Sequence, residues 1–274
     1  MHYLIDADSM IFKAGCSNES RWYDVCTGGF PVKTFQYKAD AVQFVEENDI
    51  TDVTYEKGKS AGPLAHSIGN VKRIYEQAMD NVNSTGSTLF IGGKGNFRDD
   101  IYPQYKGHRD PMSRPIHEKE IREYLLGRGA IVVNKEEVDD RVSWLQCAAE
   151  RETTSIVSVD KDLNNTAGWH YNYDNNVEYL ITPAEADLNF WRQMVTGDRT
   201  DNIPGIKGCG KVTADNRLPE ELPYPDMEEI VWESYQAAGH DVDYFTLQGR
   251  LLWMRRKQNE MWTPSEYILT QTKE

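Results

Sequence analysis

The sequence predicts an α/β protein: a largely parallel central sheet flanked by helices, followed by a smaller helical region. Three observations predict it. Short apolar or β-branched runs recur and are closed by Gly, Asp or Asn: HYLID at 2–6, STLFI at 87–91, AIVV at 130–133 and SIVSV at 155–159. Helical periodicity fills the gaps between them, and strands alternating with helices make parallel sheets. After residue 182 the pattern changes to helix, a Gly-rich segment, then helix and loop rich in Pro and acid.

Taken in order, 2–6 reads as a buried strand ending in Asp6. Helical patterns cover 37–47, 63–82, 116–126 and 138–151, and a further helix is expected over 184–196. WHYNY at 169–173 is a candidate fifth strand. Within 22–62, TGGF at 27–30 suggests a turn and KTFQY a strand, which we read as an elaboration on the edge of the sheet. The domains expected are 1–182 and 183–274. Trp191 and Trp232 read as core residues of the helical domain, and His108 and His117 as solvated.

Composition narrows the class. Of 274 residues, 39 % are hydrophobic and 11 % aromatic, enough for a core. No apolar run approaches a membrane span of about 20 residues. The N-terminus opens on a strand with no apolar export segment. Cys16, Cys26, Cys147 and Cys209 lack CxxC spacing, so a reduced, cytoplasmic chain without a zinc site is expected. The net charge of −14 argues against a polyanionic partner. Bound divalent ions would invert that field locally, and basic residues recur between Lys94 and Lys135 while 215–243 is mostly acidic.

In open parallel sheets, ligands bind beyond the carboxyl ends of the strands, and acids fall there. Asp6 and Asp8 follow the first strand, and Asp160 and Asp162 the fourth; Glu137, Asp139 and Asp140 follow the third and open a helix. Taken alone, the EEVDD acids are more simply helix N-terminal residues. Asp160 and Asp162 alone are as simply a turn. The segment 197–214, GDRTDNIPGIKGCGKVTA, is sharper. Asp198 and Asp201 stand three apart, and Gly205, Gly208 and Gly210 let the backbone approach a partner closely before a helix begins. Backbone N–H groups there suit a phosphate. So many carboxylates at one sheet edge repel each other unless cations neutralise them, and an all-oxygen set suits Mg²⁺ or Mn²⁺. Two such ions can drive in-line displacement at phosphorus.

With these residues assembled, the chain resembles the 5′-nuclease superfamily: phage 5′→3′ exonucleases, flap endonucleases and the 5′-nuclease domain of bacterial DNA polymerase I. The matching pieces, in the family's order, are LIDADSMIFKAG, FRDDIYPQYKGHRD, EEVDD, SVDKD and GDRTDNIPGIKGCGKVTA. Phage exonucleases look closest. Residues 22–62 and 215–274 carry no match.

The resemblance implies a PIN-like fold with a helix–three-turn–helix motif, and a two-metal 5′→3′ exonuclease or structure-specific 5′ nuclease. It would act on duplex DNA, RNA–DNA hybrids or 5′ flaps, in phage replication or host DNA degradation. Asp6, Glu137, Asp139 and Asp140 would surround the first Mg²⁺ or Mn²⁺ ion, and Asp160, Asp162, Asp198 and Asp201 the second. Lys106 would stabilise charge on the scissile phosphate, with Arg98 and Arg109 on phosphates and Tyr105 stacked on the terminal base. Read without the resemblance, YKGHRD is a basic surface loop. Gly205, Gly208 and Gly210 would approach the duplex backbone, with Lys207 and Lys211 adding phosphate contacts and K⁺ on main-chain carbonyls. The expected partner is DNA, for a monomer needing neither a membrane nor a protein partner.

Two departures from the family stand out. Gly93 occupies the place of a family Asp, which removes a ligand from the first metal site; Asp99 or Asp100 could compensate. The stretch 109–137 is too short for a long helical arch, so 99–115 is expected to be a mobile loop, with duplex 5′ ends cleaved better than threaded flaps. Three alternatives stay open: a PIN-type ribonuclease, which would lack the glycine motif; a binding module that lost its metal; and a small-molecule phosphatase.

Overall fold

The structure, a computed structural model, describes residues 1–82, 84, 86–220 and 222–271. The chain divides into two compact units, Met1–Ser9 with Gln77–Arg109 and Gly129–Glu274, and Met10–Glu76 with Asp110–Arg128. The units do not divide at the expected boundary of 182/183. Residues 183–271 belong to the same unit as the parallel sheet, because Gln193 donates to Asp162 at 2.6 Å and Asn189 donates to the Asn164 carbonyl at 3.1 Å.

The first unit carries a six-stranded sheet. Its strands are β1 (His2–Asp6), β5 (Ser87–Asn96), β6 (Ile131–Lys135), β7 (Thr154–Val157), β8 (Gly168–Asn172) and β9 (Val177–Ile181), in the order β6-β5-β1-β7-β8-β9. All neighbours are parallel except β8 and β9, which pair antiparallel. The predicted α/β architecture holds. In the register Ile5 lies opposite both Leu89 and Val157, so the apolar runs of β1, β5 and β7 meet at one level. Leu4, Phe90, Val133 and Ile156 then pack with Val138 and Val142 of α6 (Val138–Ala148).

Helix α7 (Pro183–Thr196) opens with a reciprocal capping box between Thr182 and Glu185 and with Pro183 at its first position. It packs with α8 (Lys211–Arg217), α9 (Tyr224–Ala237), α10 (Val242–Leu252) and α11 (Glu266–Gln271) around an aromatic core that includes Trp191, Trp232, Tyr235, Phe245 and Trp262. Trp191 and Trp232 are core residues, as expected, 0 % and 2 % exposed.

The second unit corrects the reading of 22–62. Strands β2 (Glu19–Thr27), β3 (Phe30–Phe35) and β4 (Val53–Ala61) form their own antiparallel sheet, ordered β3-β2-β4, rather than an edge of the larger one. The expected turn is there: Gly28 and Gly29, both at positive φ (56° and 83°), join β2 to β3. Helix α2 (Lys38–Glu47) covers this sheet, with Ala41 buried and the Phe35 and Phe44 rings 5.2 Å apart. The unit also holds α5 (Glu118–Gly127), while α1 (Ala7–Cys16) and α3 (Leu64–Asn81) each span the division. Between α4 (Phe97–Ile101) and α5 the only helical piece among the described residues is one 3₁₀ turn, Pro111–Ser113. No helix among the described residues is long and apolar enough to cross a membrane.

Candidate active site

The acids lie where parallel-sheet topology places them. Asp6 is the last residue of β1 and 4 % exposed. Its carboxylate accepts from Ser158 Oγ at 2.9 Å and from the Asp8 amide at 3.1 Å. Asp8 in turn accepts from the Gly92 amide at 2.9 Å, so the ends of β1, β5 and β7 are tied together by side chains as well as by the ladder. Beyond β7, Asp160 caps a 3₁₀ turn, Lys161–Asn165, by accepting from the Asp162 amide at 2.9 Å.

Burial and mutual repulsion shape this group. Asp6 is pushed up to about 6, by burial first and then by the charges of Asp8 and Asp160. Asp139 is raised well above the ordinary carboxylate range by burial and by Asp6, Asp160 and Glu137. Asp162 is pushed up to about 7 by burial and by Asp160.

Glu137 and Asp201 form a second group, joined by cations. Glu137 is the N-cap of α6, yet its side chain makes no capping hydrogen bond, so capping does not explain it. Its carboxylate meets Lys106 Nζ and the Tyr105 hydroxyl, the latter at 2.8 Å. The same hydroxyl stands 2.9 Å from Asp201, and Lys106 Nζ 3.5 Å from it. Arg109 completes the cluster with a 2.5 Å ion pair to Asp201. Burial works against ionisation of Glu137, but Lys106 and Arg98 outweigh it and hold its carboxyl below the usual range. For Lys106 too, burial is outweighed, here by Glu137 and Asp201, and its ammonium is held above the ordinary lysine range. Lys106 sits at φ 53°, and its amide donates to the Asp201 carbonyl at 2.9 Å.

Lys161 plays the matching part for Asp162 and Asp198, at 3.2 and 3.5 Å. Asp198 accepts from the Thr200 and Asp201 amides at 2.6 and 3.2 Å; these and Lys161 overcome its burial and lower its pKa. The structure thus pairs Glu137 with Asp201, which the resemblance assigned to different ions.

Three assignments change. Asp140 is completely buried, and both its oxygens are taken by Arg98, at 2.5 and 3.1 Å, with the Arg255 amide at 3.3 Å; it is not an open ligand. Arg98 is 1 % exposed and spends its remaining donors on the Leu251 and Trp253 carbonyls and on Glu137 at 3.4 Å, so it does not reach a phosphate. Tyr105 is 5 % exposed, with its hydroxyl between two carboxylates, and offers no open face to a base.

Gly93 is explained by crowding. A Cβ there would lie 2.2 Å from Asn134 Oδ1 and 2.7 Å from the Val133 carbonyl oxygen. Asp99 and Asp100 sit in the first turn of α4. Sequence reading missed Ser158, Lys161 and Gln193; Ser158 and Lys161 both lie inside SVDKD, and Gln193 lies in no motif.

The glycine segment builds a tight loop. Gly197 and Gly205, at φ 65° and 60°, pack so closely that a Cβ on Gly205 would fall 2.2 Å from the Gly197 nitrogen. Gly208 has φ 82°, and Gly210 is the N-cap of α8. Lys207 and Lys211 are exposed. A cleft of about 550 Å³ lies here, lined by His108, Arg199, Asn202, Gly208 and Gly210 among others, and not over the acids.

Among the described residues, no three carboxylates, imidazoles or thiols stand close enough to hold a metal ion as arranged. The donor set nonetheless fits a hard divalent cation. It is all oxygen, and Asp6 and Asp139 carry a repulsion that a cation would relieve. Lys106 and Lys161 supply countercharge to their neighbours Glu137, Asp201, Asp162 and Asp198.

No protein-family model matches the chain. It is 34 % identical to the thermostable DNA polymerase I of Thermus aquaticus over 175 residues, 59 % of this chain and 21 % of the polymerase. With DNA polymerase I of Deinococcus radiodurans it is 31 % identical over 194 residues, 65 % of this chain and 20 % of that one. The chain therefore spans about a fifth of the length of these relatives. In fold it is similar to a zinc-bound T5 5′-exonuclease, with TM-score 0.54 and 14 % identity over 92 % of this chain and 89 % of that one. A bacteriophage T5 flap endonuclease solved with DNA and metal ions gives TM-score 0.53 and 13 % identity over 92 % and 88 %.

Proposed function

We propose that this chain, which shares the fold of the T5 5′-exonuclease and is related in sequence to DNA polymerase I, is a divalent-metal-dependent 5′ nuclease that hydrolyses phosphodiesters of DNA. Both likenesses agree with the resemblance to the 5′-nuclease superfamily carried by the motifs. The observation that carries the reading is the crowding of Asp6, Asp139 and Asp160 at the carboxyl ends of the parallel strands, beside the cations Lys106 and Arg109.

Asp6, Glu137, Asp139 and Asp160 would hold one Mg²⁺ or Mn²⁺ ion, and Asp162, Asp198 and Asp201 a second. When bound, such ions activate a water and stabilise the leaving oxygen of an in-line displacement. The chain's own groups do the rest. Lys106 and Arg109, both within reach of Asp201, neutralise the scissile phosphate once the acids no longer need them. The Tyr105 hydroxyl fixes Glu137 against Asp201. Ser158 orients Asp6, and Gln193 orients Asp162.

The glycine loop with Lys207 and Lys211 holds the duplex backbone, with K⁺ on its main-chain carbonyls, tested by the potassium dependence of duplex affinity. Lacking a long helix between α4 and α5, the enzyme prefers duplex 5′ ends to threaded flaps. Equal or faster cleavage of a long flap would count against that preference.

The direct test uses 5′-labelled and 3′-labelled duplex DNA in Mg²⁺, Mn²⁺ or EDTA, beside Asp160→Ala. Metal-dependent release of short 5′ products, lost in the variant, is the expected result. Intact duplex in either metal, with DNA binding retained, would replace the enzyme by a binding module.

A further inference from the structure

Residues 253–264, between α10 and α11, have no helix or strand, yet Trp253, Met254, Arg255 and Trp262 are all 8 % exposed or less. Irregular segments ordinarily run over the surface, because buried backbone polar groups need partners. Here the partners lead to the start of α6. The Trp253 carbonyl accepts from Arg98 at 2.9 Å, and the preceding Leu251 carbonyl accepts from Arg98 Nε at 2.8 Å. The Arg255 amide donates to Asp140 at 3.3 Å, and Arg255 Nη1 donates to Glu136 at 3.1 Å. The Arg255 guanidinium also donates to the Glu260 carbonyl at 3.0 Å and lies 4.0 Å from the centre of the Phe97 ring.

Glu136 immediately precedes the N-cap of α6, and Asp140 lies in its first turn. Both are buried and held by arginines. Between them stand Glu137 and Asp139, the acids assigned to the metal site. No side chain caps this helix at its N-cap position, so ion pairs with arginine, not capping, set where its first turn lies. From this we propose that Arg255 is a positioning residue: by holding Glu136 and Asp140 it fixes the rotation of the first turn of α6, and with it the aim of Glu137 and Asp139. The proposal rests on those two acids being metal ligands. It brings into the site a segment whose sequence carries no family motif.

The side chain can be removed without orphaning a buried charge. Asp140 keeps Arg98 and the backbone amide of residue 255, and Glu136 keeps Arg141 Nε at 2.7 Å. Arg255→Met, similar in length, therefore tests position more than fold. Arg256 is the control: it pairs with Asp187 at 2.5 Å and stacks on Trp253 at 4.2 Å, in the same segment and with no contact to Glu136 or Asp140 among those described.

The experiment titrates Mn²⁺ calorimetrically into the full chain, well below the melting temperature of each variant, and measures kcat and KM on duplex DNA. Arg255→Met should weaken Mn²⁺ binding roughly 10-fold or more, as loss of a group that orients ligands does. It should lower kcat while leaving KM for DNA unchanged, and Arg255→Lys should recover part of the loss. Arg256→Met should lower the melting temperature and leave Mn²⁺ affinity unchanged. Affinity unaltered by Arg255→Met, or an equal loss in Arg256→Met, would overturn this proposal alone. Absence of Mn²⁺ binding in the wild-type chain would overturn the metal-site reading and this proposal with it. Should Arg255→Met fail to fold, Arg255→Lys carries the same comparison.

Discussion

Arg98 grips Asp140 with both terminal nitrogens, at 2.5 and 3.1 Å, and neither side chain reaches solvent. Adjacent acids in EEVDD therefore do different work. Asp140 balances a buried cation, whereas Asp139 is crowded by like charges. Asp140→Asn leaves Arg98 without its main counterion and should cost about 3 kcal/mol or more of stability. Asp139→Asn should abolish cleavage while leaving the melting temperature equal or higher, since a repulsion is removed. Thermal melts and rates on the two variants check both; a folded, stable Asp140→Asn that is merely inactive would contradict the assignment.

The Tyr105 hydroxyl bridges Glu137 and Asp201, with the ring buried. Tyr105→Phe keeps the ring and loses only the bridge. It should slow cleavage about 10-fold or more, a loss of one charge-assisted hydrogen bond in the site. DNA affinity should stay within about two-fold. A stacking role would give the reverse, with Phe fully active, so a binding assay beside kcat separates the two.

Titration predicts how metal and pH act together. In the metal-free chain Asp6 holds its proton up to about 6 and Asp162 up to about 7. The folded state then binds more protons than the unfolded one, so their contribution to stability falls as pH rises through that window. Glu137 and Asp198 are lowered; their contribution is lost only as pH falls below the ordinary carboxylate range. His170, lowered to about 4 by burial, runs opposite to Asp6 between about 4 and 6.5 but cancels between metal states at one pH. The rise in melting temperature on adding Mn²⁺ should therefore be small near pH 5 and grow through pH 6–7, with proton release on binding. A metal effect independent of pH would refute it.

Gly93→Asp supplies the residue type that the resemblance leads one to expect but not its room. The new side chain would meet Asn134 Oδ1, Val132 Cγ1 and the Val133 carbonyl oxygen. Overpacking of this kind costs about 1–3 kcal/mol, and Mn²⁺ affinity should not rise. Asn134→Ala does not rescue it, because the Val133 carbonyl remains; melts of the single and double variants decide.

The sheet and its acids were legible because strand, turn and helix periodicities there agree with one another. Strands β1 and β7, buried along most of their length, read as apolar runs, and Asp6, Glu137 and Asp160 lie at or within three residues of the ends of β1, β6 and β7. The small sheet was not legible as a sheet. Nearly every residue of β3 is exposed and β4 reads VTYEKGKSA, so neither shows clean alternation. The fates of Arg98 and Tyr105 were hidden for a different reason. Their partners lie far along the chain: Leu251 is 153 residues from Arg98, and Asp201 is 96 from Tyr105. A basic residue in a phosphate-binding motif looks the same in sequence whether it meets solvent or a buried carboxylate.

The central place of β1 also bears on how the molecule is made. Tyr3 pairs with Ser87 on one side and Ser155 on the other, so the strand bearing Asp6 leaves the ribosome long before either neighbour exists. Pairings this distant in sequence form slowly. Until β7 has emerged, an apolar strand waits with at least one edge open, and a nascent chain in that state is prone to aggregate. Translation paused before residue 154 should therefore yield a species that holdase chaperones retain, and release should coincide with the first appearance of a complete sheet edge around Asp6.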